Sequence, residues 1–316
     1  MEKSVKSKFL VDRMIKKYEL SNFGLGTVQF GLDYGFTKRK TQEEVNDILN
    51  VAVENDINLI DTAREYGDSE EKIGVFNKEF DNDFVIATKL SLIDDLSNLS
   101  YSFLKNHIQQ SVSDSLSNLN LDNIPILQLH QVDMGLYNNS DFWSCIKDIK
   151  QDKLIDNFGV SVYDTDDTQF LLDNHGDIID FIQIPYNIFD RRFDSIFEQI
   201  KINNIDVISR STFLKGIIPS PVDNIPSELN DIIPYKLKLE SASENAGVRV
   251  DELATLFVYY NKNISSTIFG VNSPEELKNN IDTIKQFDES ILDEIDFNEL
   301  SISEVKLIDP RQWNEF

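Results

Sequence analysis

Short apolar stretches alternate along the chain with longer segments whose apolar residues recur every three or four positions. The first pattern predicts buried β-strands, and the second predicts amphipathic α-helices. Eight strand–helix pairs follow one another in this way. The predicted strands cover residues 24–30, 58–61, 84–89, 125–130, 155–161, 181–185, 206–209 and 266–269. The predicted helices cover residues 41–55, a segment from about 69, 103–119, 141–150, 165–173, 191–203, 251–260 and 274–286.

The serial order of these units predicts one closed (β/α)8 barrel, the TIM barrel, because no linker rich in Gly, Pro or Ser separates them. A doubly wound open sheet is the main alternative. We expect the barrel to occupy residues 23–287. Residues 1–22 are predicted to be an N-terminal extension with a short amphipathic helix. Residues 288–316 are predicted to be an acidic tail, containing Trp313 and Phe316, over or beside the barrel.

The balance of charge restricts the partners of this chain. It carries 55 acidic and 30 basic residues, a formal net charge of −25, so its surface repels nucleic-acid backbones. An anionic cofactor would need a locally basic or amide-lined pocket. The one cysteine, Cys145, lies in a helical pattern and excludes an intrachain disulfide, which favours a reducing, cytoplasmic location. No apolar run reaches the roughly 18–20 residues of a transmembrane helix, so no membrane partner is expected.

Common signatures of nucleotide and metal binding are incomplete in this sequence. Gly24 and Gly26 begin a glycine-containing segment, but Gln29 breaks the G-x-G-x-x-G spacing, and no P-loop pattern occurs. The three histidines show no zinc-binding spacing, and no cysteine cluster exists. A Rossmann site, a P-loop and a zinc site are therefore not expected, whereas magnesium held by carboxylates stays open.

Four reactive side chains lie at or just after the ends of predicted strands: Asp61, Tyr66, Lys89 and His130. In a barrel these positions meet at the C-terminal face, where active sites lie. An ammonium lowers the pKa of a nearby phenol, so we expect Lys89 to lower the pKa of Tyr66. Asp61 is expected to pair with Lys89, and His130 to donate to a bound carbonyl oxygen.

Each of the four also has an ordinary structural explanation when it is considered alone. Asp61 can cap the next helix, and Lys89 can balance Asp61. Tyr66 can be an ordinary tyrosine of the barrel rim, and His130 can be a core histidine with a local partner. The joint occurrence at one predicted face favours a proton-transfer site over these separate explanations.

Several sequence blocks, in order, resemble those of the aldo-keto reductase family. The match covers about residues 23–284, nearly the whole predicted barrel. The blocks are DTAREYGDSEEKIG, VIATKL, SVSDSLSNLNLDNIPILQLH, KLIDNFGVSVYD, FIQIPYNIFDRR and STIFGVNSPEELKNNI.

The resemblance implies an NAD(P)H-dependent oxidoreductase that reduces a carbonyl, an aldehyde or ketone, to an alcohol. Tyr66 would donate the proton, Lys89 and Asp61 would tune it, and His130 would orient the carbonyl. The resemblance also implies the residues that bind NADPH or NADH across the barrel mouth. These are Gly26, Thr27, Ser161, Gln183, Ser209, Arg210, Ser211, Phe213, Gly216, Gly270, Glu276, Asn279 and Asn280.

Departures from the family pattern concern the cofactor and the substrate. Val162 stands where many members have Asn, and Arg210 stands where many stack a tyrosine on the nicotinamide. A positive charge there favours an anionic substrate or contact with a phosphate. Gly270 and Glu276 stand where NADPH-preferring members commonly place basic residues, which predicts a weakened NADPH preference.

Two other functions stay open at this point. One is a cofactor-binding regulatory barrel with weak catalysis, and the other is a lyase or epimerase that forms a Schiff base on Lys89. The segment GTVQFGLDYG is similar to reductases of sugar pathways, so the small-molecule carbonyl substrate is expected to be sugar-like. The sequence predicts no oligomeric state.

Overall fold

A closed barrel of parallel strands forms the body of the protein. The computed structural model describes residues 10–15, 18–33, 38–80, 82, 84–94, 96 and 99–313. Within them the strands are β1 (Leu10–Ile15), β2 (Tyr18–Ser21), β3 (Phe23–Gly26), β4 (Leu59–Asp61), β5 (Val85–Lys89), β6 (Ile124–Leu129), β7 (Ile155–Ser161), β8 (Phe181–Pro185), β9 (Asp206–Arg210) and β10 (Ser266–Gly270).

Strands β3 to β10 pair in chain order, and β10 then pairs with β3 through Thr267 and Phe23. This last pairing closes the sheet, so the predicted (β/α)8 barrel is confirmed and the open-sheet alternative is wrong. Nearly every barrel-strand residue is buried, because helices cover the outside and side chains fill the interior.

The α-helices lie mainly between the strands. They are α1 (Val28–Gly31), α2 (Gln42–Glu54), α3 (Ser69–Glu79), α4 (Tyr101–Leu119), α5 (Met134–Tyr137), α6 (Ser140–Gln151), α7 (Thr165–His175), α8 (Phe197–Ile202), α9 (Ile233–Ala246), α10 (Val250–Tyr259), α11 (Pro274–Gln286) and α12 (Val305–Ile308). Helix α2 begins with a capping box between Thr41 and Glu44, which satisfies two otherwise unpaired amides. No helix in these ranges is long and apolar enough to cross a membrane.

Two predicted barrel elements have other bounds in the structure, and one long helix was not predicted. The first barrel strand stops at Gly26 rather than residue 30, because Thr27 binds back to Asp61 and a helical turn begins at Val28. The predicted helix at 191–203 divides into a 3-10 turn, Arg192–Ser195, and α8. Helix α9 was not predicted, since its apolar residues do not form one strong face.

The predicted N-terminal helix is also wrong for the described part of residues 1–22. Strands β1 and β2 form an antiparallel hairpin there. Leu20 packs into the barrel interior with Leu59, and Asn58 hydrogen-bonds the backbone of Glu19 and Ser21. Mixed apolar and charged residues fit a helix or a hairpin equally, and this burial favours the hairpin.

The C-terminal segment packs against loops at the carboxyl end of the strands. The Arg311 guanidinium lies 3.7 Å from the ring centre of Tyr163, which follows β7. The backbone amide of Ile302 donates to the carbonyl of Phe189 over 2.9 Å. Phe316 and part of the GTVQFGLDYG segment, Tyr34 and Gly35, lie outside the described residues.

Candidate active site

An ion pair lies at the carboxyl ends of two adjacent strands. Asp61 ends β4 and Lys89 ends β5, and their side chains are 7 % and 1 % exposed. The Lys89 ammonium donates to both carboxylate oxygens of Asp61 and to the carbonyl of Thr62, each over 2.9 Å. Burial lowers the pKa of Lys89, but the charge and hydrogen bonds of Asp61 outweigh it, so the net pKa is raised. Lys89 is therefore an ammonium at neutral pH.

Two buried amides complete the surroundings of this carboxylate. The side chains of Gln128 on β6 and Gln183 on β8 each donate to Oδ1 of Asp61 over 2.9 Å. Gln183 was predicted as a cofactor contact, whereas Gln128 was missed. The sequence signal available for both residues was a glutamine inside an apolar strand, in ILQL for Gln128 and in FIQIP for Gln183. The side-chain amide oxygen of Gln128, Oε1, is buried without a hydrogen-bond partner among the described residues.

Tyr66 and His130 lie beside the ion pair. The Lys89 nitrogen is 5.2 Å from the Tyr66 ring centre, and the rings of Tyr66 and His130 meet edge to face at 6.1 Å. Burial raises the pKa of Tyr66 and Asp61 adds to this effect, while Lys89 and Arg210 lower it, and the net pKa is raised. Lys89 therefore acts on Tyr66 in the predicted direction, but loss of solvent contact outweighs the ammonium, so the net pKa is raised and not lowered.

A carboxylate that was not predicted faces His130. Oε2 of Glu65 lies 3.5 Å from Nδ1 of His130. Oε1 of Glu65 accepts a 2.9 Å hydrogen bond from the backbone amide of Leu92. No sequence signal predicts this contact, since Glu65 and His130 belong to different βα units.

Most of the predicted cofactor residues on the barrel strands are buried, whereas Arg210 is partly exposed and Gly270 is exposed. Two hydroxyls, those of Thr27 just after β3 and of Ser209, bind other residues of the protein. The Thr27 hydroxyl donates to the carbonyl of Asp61 over 3.0 Å, and the Ser209 hydroxyl donates to Thr267 over 2.8 Å. Ser161 lies 3.4 Å from the amide oxygen of Gln183. Gly26 ends β3, next to Asp61 in the sheet register. The hydroxyls of Thr27 and Ser209 thus bind neighbouring residues of the barrel, whereas the side chains of Ser161 and Gln183 lie next to each other.

The loop after β9 has an unusual backbone. Ser211, Leu214, Lys215 and Gly216 all have positive φ, from 47° to 91°. A side chain at Gly216 would meet no atom within 4 Å, so the space beside this turn is open. Phe213 packs against Phe269, with ring centres 6.0 Å apart. This turn and the open space beside Gly216 lie directly after β9, at the carboxyl end of the barrel.

Arg210 stands at the start of the same loop. Its guanidinium lies 4.2 Å from the Tyr163 ring centre and makes 3.3 Å contacts with the Val162 carbonyl and the Ser211 hydroxyl. Of the arginines whose side chains the structure describes, Arg210 is the one with no carboxylate within 4.0 Å. Its charge also acts on Tyr66 and Lys89. This cation, which has no close carboxylate among the described residues, thus lies near enough to affect the pKa of Tyr66 and of Lys89.

The segment after β10 places the Glu276 carboxylate at the start of helix α11. Gly270 is exposed, and a Cβ there would lie 2.8 Å from the Gln29 side chain. Glu276 in the first turn of α11 accepts hydrogen bonds from the backbone amide and side chain of Asn272. Asn279 is exposed and Asn280 partly exposed on the same helix. Among the described residues no group of three His, Cys, Asp or Glu side chains could hold a metal ion.

Comparisons with known proteins define the class. The model of the aldo/keto reductase family matches residues 22–298. L-galactose dehydrogenase of Arabidopsis thaliana is 24 % identical over 269 residues, 80 % of each chain. An uncharacterized oxidoreductase of Bacillus subtilis, YqkF, is 25 % identical over 276 residues, 83 % of this chain and 87 % of that protein.

Solved structures show the same fold. A glycerol dehydrogenase of Gluconobacter oxydans has 20 % identity and a TM-score of 0.70, with 95 % of each chain covered. An aldo-keto reductase of Bacillus halodurans has 19 % identity and a TM-score of 0.69, with 92 % of this chain and 96 % of that chain covered. The chain belongs to the aldo/keto reductase family, as the sequence predicted, and is an oxidoreductase of the NAD(P)H-dependent class.

Proposed function

We propose that this protein reduces an aldehyde or ketone to an alcohol with NADPH or NADH, and that Tyr66 donates the proton. One observation carries the proposal: Tyr66 and His130 adjoin a buried Lys89–Asp61 pair at the carboxyl end of the barrel. These are the groups needed to protonate an oxygen while negative charge develops on it.

The described residues fit a nicotinamide dinucleotide. Gln183 and Ser161 provide adjacent amide and hydroxyl groups at the barrel mouth, suited to a carboxamide. The open turn at Gly216 and the exposed Gly270 leave room for a pyrophosphate and an adenosine. Three buried polar atoms near these positions, on Gln128, Thr212 and Asn272, have no partner among the described residues. The bound nicotinamide supplies the hydride in this chemistry.

In the proposed reaction, side chains of the protein carry the proton that is donated and stabilise the negative charge that remains after its transfer. Because the pKa of Tyr66 is raised, its phenol is protonated at neutral pH and can donate to a carbonyl oxygen. The Lys89 ammonium lies near enough to stabilise the phenolate that remains after transfer. Asp61 fixes Lys89, and the two glutamine amides fix Asp61. Holding these groups in place before the substrate arrives lowers the barrier.

The lyase alternative is poorly supported by this geometry. A Schiff base requires a neutral amine, whereas Lys89 is held as an ammonium by Asp61. Borohydride trapping with a carbonyl substrate is expected to leave Lys89 unmodified. A regulatory barrel with weak catalysis is expected to lack some of the contacts that hold the catalytic groups. Here the Asp61 carboxylate accepts hydrogen bonds from Lys89, Gln128 and Gln183.

Glu276 supports use of NADH alongside NADPH. Its carboxylate binds the Asn272 amide near the start of α11, where it would repel a ribose 2′-phosphate and accept a bond from a 2′-hydroxyl. Lys278, on the exposed side of the same helix, is the nearest basic residue in sequence. This proposal predicts comparable affinities for the two cofactors.

The substrate is proposed to carry an anionic group near its carbonyl. The guanidinium of Arg210 supports this, since it has no close carboxylate among the described residues and is near enough to lower the pKa of Tyr66, in a chain of net charge −25. A guanidinium binds carboxylates and phosphates by charge-assisted hydrogen bonds. The similarity to L-galactose dehydrogenase supports hydroxyl groups on the same molecule. A sugar acid or sugar phosphate with a free carbonyl has both features.

A panel assay tests the proposed reaction. Purified protein is mixed with NADPH or NADH and with neutral and anionic aldehydes, and cofactor oxidation and alcohol formation are both measured. We expect oxidation and alcohol in equal amounts. Cofactor binding without alcohol from any member of the panel would favour the regulatory alternative.

A further inference from the structure

Glu65 directly precedes the proposed proton donor and faces the other reactive side chain of the site. Its Oε2 lies 3.5 Å from Nδ1 of His130, and the two side chains are 26 % and 24 % exposed. Both atoms are buried and neither has a hydrogen-bond partner among the described residues, so their 3.5 Å separation is an ion-pair distance and not a formed hydrogen bond. The Leu92 amide, 2.9 Å from the other oxygen, fixes the carboxylate in this direction.

Among the described residues, His130 is the one basic side chain within 4.0 Å of the Glu65 carboxylate. The adjacent Arg64 turns away and pairs with Glu70 and Asp114. Within the described residues, no lysine or arginine lies within 4.0 Å of the Glu65 carboxylate. Burial raises the pKa of Glu65, but contacts with His130 and the Leu92 amide outweigh it, and the net pKa is lowered. Glu65 is therefore an anion at neutral pH.

The other groups around His130 carry little net charge. Tyr66 meets the imidazole edge to face and is neutral, because its pKa is raised. Behind it the Lys89 ammonium is balanced by Asp61. Arg210 lowers the pKa of Tyr66 but does not lie within 4.0 Å of a described carboxylate or of His130. Glu65 is thus the charged side chain nearest to the imidazole among the described residues.

We propose that Glu65 is a positioning residue that accepts the Nδ1 proton of His130 and stabilises the imidazolium. The proposal rests on carbonyl reduction as the activity. A neutral imidazole with its proton on Nδ1 presents a lone pair at Nε2 and cannot donate to a carbonyl oxygen. The imidazolium carries protons on both nitrogens. Glu65 therefore keeps His130 a donor toward the substrate over a wider pH range.

The pKa of His130 can be measured without turnover. The chain has three histidines, so selectively labelled imidazole resonances can be titrated by NMR and assigned with His130→Gln. We expect Glu65→Gln to lower the pKa of His130 by about one unit or more, as loss of an adjacent opposite charge does. Glu65→Asp keeps the charge and should recover part of the shift.

Asp68→Asn is the matched control for loss of charge. Asp68 lies in the same loop with a side chain 32 % exposed, and it pairs with Lys72 and Arg39 rather than His130. It should shift the pKa of His130 by less than about 0.3 units, the scale of a screened interaction. Unchanged far-ultraviolet spectra and Tm within a few degrees establish that each variant is folded.

The activity profile gives the second readout. For reduction, kcat/KM should fall as pH rises through the pKa of His130, and Glu65→Gln should move that fall to lower pH by the shift seen in NMR. In a His130→Gln background, Glu65→Gln should move nothing further. The proposal is overturned if Glu65→Gln leaves the pKa of His130 unchanged or acts equally without His130. Because the NMR titration needs no substrate, its failure is distinct from failure of the proposed reaction.

Discussion

The Lys89 ammonium donates to both carboxylate oxygens of Asp61 over 2.9 Å while both side chains are nearly inaccessible to solvent. Removing two charges from water is costly, and such a pair is seldom retained for stability alone. Here it places a fixed positive charge 5.2 Å from the Tyr66 ring. The buried pair is thus a preorganised part of the site.

Asp61→Asn should destabilise the fold as well as abolish activity. The substitution leaves the Lys89 ammonium buried without its counter-charge, which costs about 3–5 kcal/mol in comparable proteins. Urea unfolding measures the loss. Asp177→Asn is the control, because its pair with Lys147 is exposed and is worth no more than about 1 kcal/mol. Equal losses in the two variants would show that the buried pair is unimportant for stability.

Tyr66 should remain protonated through the neutral and mildly alkaline range. Its folded-state pKa is raised, so the phenol is lost only as pH rises beyond the ordinary value near 10. A difference titration of tyrosinate absorbance between the wild type and Tyr66→Phe measures this group among the 10 tyrosines. We expect no difference below about pH 10. A tyrosine that ionises at neutral pH and disappears in the variant would contradict the burial argument.

Glu276→Gln should shift the cofactor preference toward NADPH. Removing the charge removes the repulsion of a 2′-phosphate. We expect the ratio of NADPH affinity to NADH affinity to rise about tenfold, which corresponds to about 1.4 kcal/mol. Fluorescence titration of both cofactors measures the ratio. Glu275→Gln is the matched control, since Glu275 is exposed in the same helical turn, whereas the Asn272 amide donates to Glu276. Strong NADPH selectivity in the wild type would refute the proposed role of Glu276.

Arg210→Gln should reduce activity selectively toward anionic substrates. Comparing succinic semialdehyde with butanal isolates one carboxylate, and we expect the ratio of their kcat/KM values to fall about tenfold or more. Cofactor dissociation constants, measured in parallel, show whether the guanidinium binds a cofactor phosphate instead. Arg311→Gln controls for stacking on Tyr163, because Arg311 is already paired with Asp309 at 2.6 Å. An unchanged substrate ratio would exclude the anion-binding role.

Much of the fold was predictable because apolar periodicity and helix caps are local properties. Helix α11 has the predicted bounds, and Asp61 and Lys89 end their strands as expected. The sheet closure then brings the strand ends together, which is why residues from separate units form one site.

Other features depend on contacts between distant segments and were not predictable. The direction of the pKa shift of Tyr66 is set by burial, which a sequence does not reveal. The hydroxyls of Thr27 and Ser209 are occupied by neighbouring strands, and the contact between Glu65 and His130 joins two loops. The N-terminal hairpin likewise depends on burial of Leu20 inside the barrel.

The most direct test of the proposed chemistry is single-turnover oxidation of bound NADPH or NADH in wild type and Tyr66→Phe, followed by stopped flow with a reactive aldehyde. Loss of a proton donor predicts a rate lower by about 10²–10⁴-fold. The cofactor dissociation constant should stay within about twofold, well under the 1.4 kcal/mol of a tenfold change. A Tyr66→Phe variant that reduces the aldehyde at the wild-type rate would contradict the account.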